Sequence, residues 1–197
     1  MNWDGIFVAI HPDVYEPSDD TFLLARVVGD VVRPGDQFLE VGCGAGLVSL
    51  VAARAGAYVT CTDRNPHAVV LTQQNARENG LSVDCRETDL LAGIDAAFDV
   101  VAFNPPYLPT ADDDHVAGPL DLAFDGGRDG NEVVLRFAAQ LRRLRPLPRV
   151  VLVVHSSLSD PGPLDGVMRS HGYGASIAAR QNLAYETLTV RRYDVGP

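Results

Sequence analysis

Gln37-Phe38-Leu39-Glu40-Val41-Gly42-Cys43-Gly44-Ala45-Gly46 decides the fold, because a short apolar run breaks into three alternating glycines and the apolar segment 47–55 follows, closed by Gly56. That order spells strand, tight turn and helix. Working outward, the same alternation recurs: residues 58–62 read as a strand, and 66–79 as a helix with Pro66 in its first turn and Gly80 as its stop. Residues 82–87 form a third strand, polar enough for a sheet edge, and 98–103 (Phe-Asp-Val-Val-Ala-Phe) a fully buried central one. Upstream, 19–32 carries Phe22, Leu23, Val27 and Val28 at helical spacing, with Ser18 and Asp19 placed to cap it and Pro34-Gly35 to end it. Downstream come an amphipathic helix at 131–144, a buried strand at 149–155, a short helix at 163–171, and a closing antiparallel pair at 173–179 and 186–193. The pattern predicts a parallel α/β sheet. Residues 108–130, rich in Asp, Gly and Pro, form a long loop expected to flank the active site.

The 197 residues suit a single domain, with 1–35 as a lead-in segment and helix and 36–197 as the core. Hydrophobic residues make up 46% and charged residues 21%, at a mean hydropathy of +0.02, which excludes a disordered chain. The apolar runs stop well short of the roughly 20 residues a membrane span needs. Residues 1–10 carry Asp4 and lack a basic start and a long apolar stretch, so they are not a secretory signal and a cytoplasmic location is expected. Sixteen basic residues against 26 acidic ones give a net charge of −10, which excludes a firm grip on duplex nucleic acid through its phosphates. Cys43, Cys61 and Cys85 form no C-x-x-C pair. His11, His67, His115, His155 and His171 show no metal spacing, so neither a disulfide framework nor a metal centre is expected.

In open α/β sheets, ligands bind beyond the carboxyl ends of the strands, which is where the glycine turn sits. Gly42, Gly44 and Gly46 let backbone approach a ligand closely. Their G-x-G-x-G spacing puts Leu47 where a dinucleotide fingerprint needs a small residue, so NAD is the weaker reading. Asp63 ends the second strand, where a carboxylate can accept both hydroxyl hydrogens of a ribose; the alternative is that it caps the helix opened by Pro66. Asp89 and Leu90 follow the third strand and are placed to border a base, by polar and apolar contact respectively.

Asn104-Pro105-Pro106-Tyr107, at the end of the fourth strand, is the most specific local signal. An amide or aromatic amine nitrogen is a poor nucleophile because its lone pair is delocalised. Acceptors that hold its N–H groups orient that lone pair toward an electrophile. The Asn104 side-chain oxygen and the Pro105 carbonyl are such acceptors, the prolines restrict the backbone that aims them, and Tyr107 offers a flat face for stacking.

These residues together make the sequence resemble the class I S-adenosylmethionine-dependent methyltransferases, and within them the HemK2/Mtq2 family of protein glutamine methyltransferases. The resemblance rests on the stretch Val14-Tyr15-Glu16-Pro17-Ser18-Asp19-Asp20-Thr21-Phe22-Leu23-Leu24, the glycine loop and the tetrad. It extends to Gly126-Gly127-Arg128-Asp129-Gly130 with Glu132, to Arg180-Gln181 and to Glu186-Thr187-Leu188. It implies a Rossmann-like seven-stranded, mostly parallel sheet with one antiparallel strand and helices on both faces. It further implies S-adenosylmethionine as cofactor, lined by Thr21, Glu40, Gly42, Gly44, Gly46, Asp63, Asp89, Leu90 and Asn104, with Asn104, Pro105, Pro106 and Tyr107 as the catalytic set. The implied substrate is the Gly-Gly-Gln glutamine of a class 1 translation release factor, and the implied partner a small zinc-binding Trm112-like activator. The tetrad alone also resembles adenine methyltransferases, and some relatives act on lysine, so a protein lysine or a nucleic-acid adenine is the alternative acceptor. The bacterial branch of the family carries an N-terminal docking domain for which about 35 residues here leave no room. The acidic run Asp112-Asp113-Asp114 matches nothing in the family; it is either a solvated loop or an attractor of basic substrate.

Overall fold

The computed structural model describes residues 1–108 and 126–196. A ribbon the sequence did not announce comes first: β1 (Asn2–Trp3) pairs antiparallel with β2 (Ile6–Phe7), ahead of helix α1 (Asp19–Val31). The expected alternation follows as β3 (Gln37–Val41), α2 (Leu47–Arg54), β4 (Tyr58–Asp63), α3 (Pro66–Glu78), β5 (Asp84–Glu87) and β6 (Val100–Phe103). After the loop come α4 (Glu132–Leu141), β7 (Val150–Ser156), α5 (Gly162–Ser170), β8 (Tyr173–Asn182) and β9 (Thr187–Val195).

β3 to β9 form one seven-stranded sheet in the order β5-β4-β3-β6-β7-β9-β8. β9 pairs antiparallel with both β7 and β8, and the other pairings are parallel. The sheet is therefore mostly parallel with one strand reversed. β6 is central and wholly buried, and β5 lies at the edge, as hydropathy predicts. Alternate strand residues face opposite ways. Phe38, Val100, Ala102, Leu152 and Val190 pack under α1, α2 and α3. Leu39, Val41, Val101, Phe103 and Val153 pack under α4 and α5 against Phe137, Leu141, Leu164 and Met168. Of the long loop, 109–125, including the acidic run, lies outside the described residues.

One local expectation is corrected, and one alternative is set aside. Ser18 does occupy the N-cap of α1, yet its side chain makes no capping hydrogen bond. The cap of α3 is Asn65, whose Oδ1 accepts from the His67 N–H at 3.0 Å, and not Asp63.

The turn 42–46 is held from behind. Gly46 has φ +88°, and a Cβ there would lie 2.7 Å from Thr72, so only glycine fits. Asn75, fully buried on α3, donates to the Ala45 carbonyl at 2.8 Å and bonds both the N–H and the carbonyl of Ala9. One side chain thus ties the N-terminal segment to the glycine turn. Asn75→Ala leaves these groups without a partner, and urea unfolding should show a loss of about 2–4 kcal/mol. Truncating its exposed neighbour, Gln74→Ala, should cost under about 0.5 kcal/mol.

Candidate active site

The carboxyl ends of β3, β4 and β6 open into a cleft of about 450 Å³, lined by the glycine turn, residues 13–15 and 17–21, Thr88 to Leu90, the tetrad, and Glu132, Val133 and Arg136 of α4. All the sequence-predicted site residues line it. The structure does more than collect them, because Glu40, Asp63, Asp89, Asn104 and Tyr107 are each held by a specific partner.

Asp63 Oδ2 accepts the Gly44 N–H at 2.9 Å and Oδ1 accepts the Asn65 N–H at 2.9 Å, so this carboxylate shapes the glycine turn. Burial raises its pKa against the pull of these N–H donors. Each oxygen keeps lone pairs for further donors. Glu40 lines the cleft and is tied down on one oxygen: its Oε2 accepts the Ser49 N–H at 2.8 Å and the Ser49 hydroxyl at 2.5 Å. Ser49 lies in the first turn of α2, and the N-cap residue Gly46 has no side chain to satisfy it. Glu40 supplies that cap from the neighbouring strand. Full burial pushes its pKa up to about 8, with the Ser49 donors opposing.

Asp89 pairs with Arg136 and, at 3.7 Å, with Arg64, while its Oδ1 is buried without a hydrogen-bond donor. Leu90 adopts a positive φ of 54°, its carbonyl accepts the Thr62 hydroxyl at 3.0 Å, and its side chain is buried in the core under α4.

Sequence reasoning missed the centre of the site, Asp20. Its buried carboxylate accepts from Asn104 Nδ2 at 3.0 Å, the Tyr107 hydroxyl at 3.1 Å, the Tyr15 hydroxyl at 3.2 Å, and the Thr21 N–H and hydroxyl. Burial and the nearby Asp20 charge push both tyrosines upward, so they remain donors. With Nδ2 committed to Asp20, Asn104 Oδ1 is the amide atom left over, and it is buried with no partner. The signal was available: Asp20 falls on the apolar face of α1 with Leu24 and Val27, where an acid must have donors. Thr21, half-buried on the same turn, reaches the cleft wall through this network.

The tetrad backbone is clamped by the glycines 126–130. A Cβ on Gly126 would lie 2.6 Å from the Leu108 carbonyl and 2.9 Å from that of Pro106, and one on Gly130 would strike the Tyr107 carbonyl. Glu132 N–H closes the clamp on the Gly126 carbonyl at 3.1 Å. Glu186, between β8 and β9, also faces the cleft and accepts the buried Ser156 hydroxyl at 2.5 Å.

A doubly wound sheet with one reversed strand, a glycine turn after its first core strand and an asparagine held by a buried acid define a class I S-adenosylmethionine-dependent methyltransferase. A profile of the methyltransferase small domain matches residues 16–118. A protein N5-glutamine methyltransferase of Methanocaldococcus jannaschii is 38% identical over 188 residues, covering 95% of this chain and 94% of that one. The methyltransferase HEMK2 of Homo sapiens is 33% identical over 92% of this chain and 89% of its own. The E. cuniculi Mtq2 structure, solved with Trm112, superposes with a TM-score of 0.75 at 24% identity, over 93% of this chain and 99% of that one. The chain belongs to the methyltransferase small-domain family and, within it, to the HemK2/Mtq2 methyltransferases.

Two outcomes follow from this geometry. Asp20→Asn keeps the volume but loses acceptor capacity, so turnover should fall about 10²-fold while the cofactor dissociation constant moves far less; a binding defect as large as the rate defect would contradict that role. An acid whose folded pKa is raised is most stabilising when protonated, so Glu40 should make stability fall as pH rises from the ordinary carboxylate range to about 8. Glu40→Gln, neutral throughout, removes that slope. Urea unfolding of both proteins at about pH 5 and about pH 8.5 reads the difference directly.

Proposed function

We propose that this chain methylates the side-chain amide nitrogen of a glutamine, and that the glutamine is that of the Gly-Gly-Gln loop of a class 1 release factor. The observation that carries the proposal is the buried, unpartnered Asn104 Oδ1 beside the Pro105 carbonyl at the head of the cleft. A primary amide presents two N–H groups, and two fixed acceptors hold them so that the nitrogen lone pair points into the cleft. The names of the M. jannaschii relative and of the release factor methyltransferase of Deinococcus radiodurans, 31% identical over 90% of this chain, support this substrate.

The residues present fit S-adenosylmethionine, which supplies an electrophilic methyl on a cationic sulfur. The glycine turn admits a ligand against bare backbone, Asp63 retains lone pairs for ribose hydroxyls, and Asp89 Oδ1 lacks only a donor such as an exocyclic amine. Asp20, Glu132 and Glu186 make the cleft acidic, which favours a cationic occupant. Asn104 and Pro105 would hold the target amide with its nitrogen lone pair toward the methyl that the bound cofactor would supply, the carbon–sulfur electron pair staying with sulfur. The amide then loses one proton to solvent, so no strong base is needed.

The proposal extends to a partner. Mtq2 of E. cuniculi is solved as a complex with Trm112, and the edge of β5, unpaired among the described residues, is where a partner strand can add to this sheet. It places the enzyme in the cytoplasm, where translation terminates. Among the described residues no helix is long and apolar enough to cross a membrane.

A labelled-methyl assay with the host release factor, with and without its Trm112-like protein, tests substrate and partner together, read by peptide mass spectrometry. Label on the Gly-Gly-Gln glutamine is expected; label only on lysine or on nucleic acid would replace the acceptor. Asn104→Ala should cut turnover about 10²- to 10³-fold with cofactor binding changed only a few-fold. Turnover at the wild-type rate would sink the mechanism.

A further inference from the structure

Although the histidine spacing in the sequence shows no metal pattern, the fold assembles one candidate group. Among the described residues, His11, Asp13 and His67 each bring a ligand atom within 4.8 Å of the others. The His11 and His67 rings stack with centroids 4.9 Å apart and planes 15° from parallel. His11 Nδ1 accepts the Asp13 N–H at 3.1 Å and lies 3.9 Å from Asp13 Oδ2, so an ion bound through this nitrogen would take the place of that N–H.

What brings the three together is Asn65. Its Oδ1 takes the His67 N–H at 3.0 Å, and its Nδ2 donates to the Asp13 carbonyl at 2.6 Å. The backbone of both ligand-bearing segments is therefore fixed before any ion arrives. Tetrahedral bonds near 2.1 Å place ligands about 3.4 Å apart, so the histidine stack must open as the exposed His67 ring turns its lone pair toward the ion.

We propose that His11, Asp13 and His67 form a binding site for a divalent ion of the Zn²⁺ type, which fastens the segment around residue 13 to the start of α3. Two imidazoles and one carboxylate suit a borderline ion such as Zn²⁺ or Co²⁺, whereas Mg²⁺ and Ca²⁺ require mostly oxygen. Three protein ligands leave a position for water. The fastened segment is a wall of the cleft: Asp13, Val14 and Tyr15 line it, and the Tyr15 hydroxyl bonds Asp20. The ion sits outside the reacting centre and acts by ordering that wall.

The test uses the full chain with Zn²⁺ as the probe in calorimetry and Co²⁺ as the spectroscopic probe. One equivalent should bind, hydrogen exchange of the backbone amides at 9–15 should slow, and the melting temperature should rise by about 5–10 °C at a hundredfold excess over the dissociation constant. His67 is exposed, so His67→Ala should fold normally and weaken binding by 10- to 100-fold or more; Asp13→Asn is the second variant. Binding unchanged in both variants would overturn the site. So would thiolate-to-cobalt charge-transfer absorption, which would assign the ion to Cys43, Cys61 or Cys85. Absence of Zn²⁺ binding at millimolar concentration would overturn it outright.

Discussion

The carboxylate of Asp20 is the constraint on which the site depends. A buried acid must be surrounded by donors, and here the donors are the groups that need aiming: the Asn104 amide, the Tyr107 and Tyr15 hydroxyls and the Thr21 backbone. By taking Asn104 Nδ2, Asp20 turns a two-faced amide into a fixed acceptor. The lead-in helix α1 is thereby part of the active site, although it precedes the first core strand.

The rest of the architecture holds that arrangement in place from two sides. On one side the glycines 126–130 press against the carbonyls of Pro106, Tyr107 and Leu108, so the tetrad backbone cannot relax outward. On the other, Asn75 and Asn65 tie the N-terminal segment to the glycine turn and to α3. Glu40 and Asp63 anchor the turn itself, one by capping α2 and the other by receiving the Gly44 N–H. Four polar side chains, three of them far apart in sequence from what they bind, do what a longer hydrophobic contact could not. They set direction as well as proximity.

Much of the site was legible because its chemistry is local. The turn Gly42 to Gly46 and the tetrad Asn104 to Tyr107 are contiguous, and each sits where a strand ends, so residue type and spacing place them at the sheet's carboxyl edge. Glu40 was read as lining the cofactor, and it does line the cleft, with one of its two oxygens, Oε2, bonded to Ser49. Asp20 was passed over because it stands beside Asp19 at a helix start, where acids are ordinary, and only its place on the buried face distinguishes it. The ribbon β1–β2 escaped because two-residue strands carry no periodicity.

The sequence by itself determined the order of elements, the parallel core, the edge and central strands, and the two contiguous loops that carry the chemistry. These follow from hydrophobic period and from backbone freedom at glycine and proline, which are properties of neighbours along the chain. Tertiary structure alone decided which oxygen of the site is left unpaired, which acid supports which turn, and that His11 and His67 meet. Hydrogen bonds between residues distant in sequence leave no periodic trace, because their partners are chosen by where the sheet and its helices bring them.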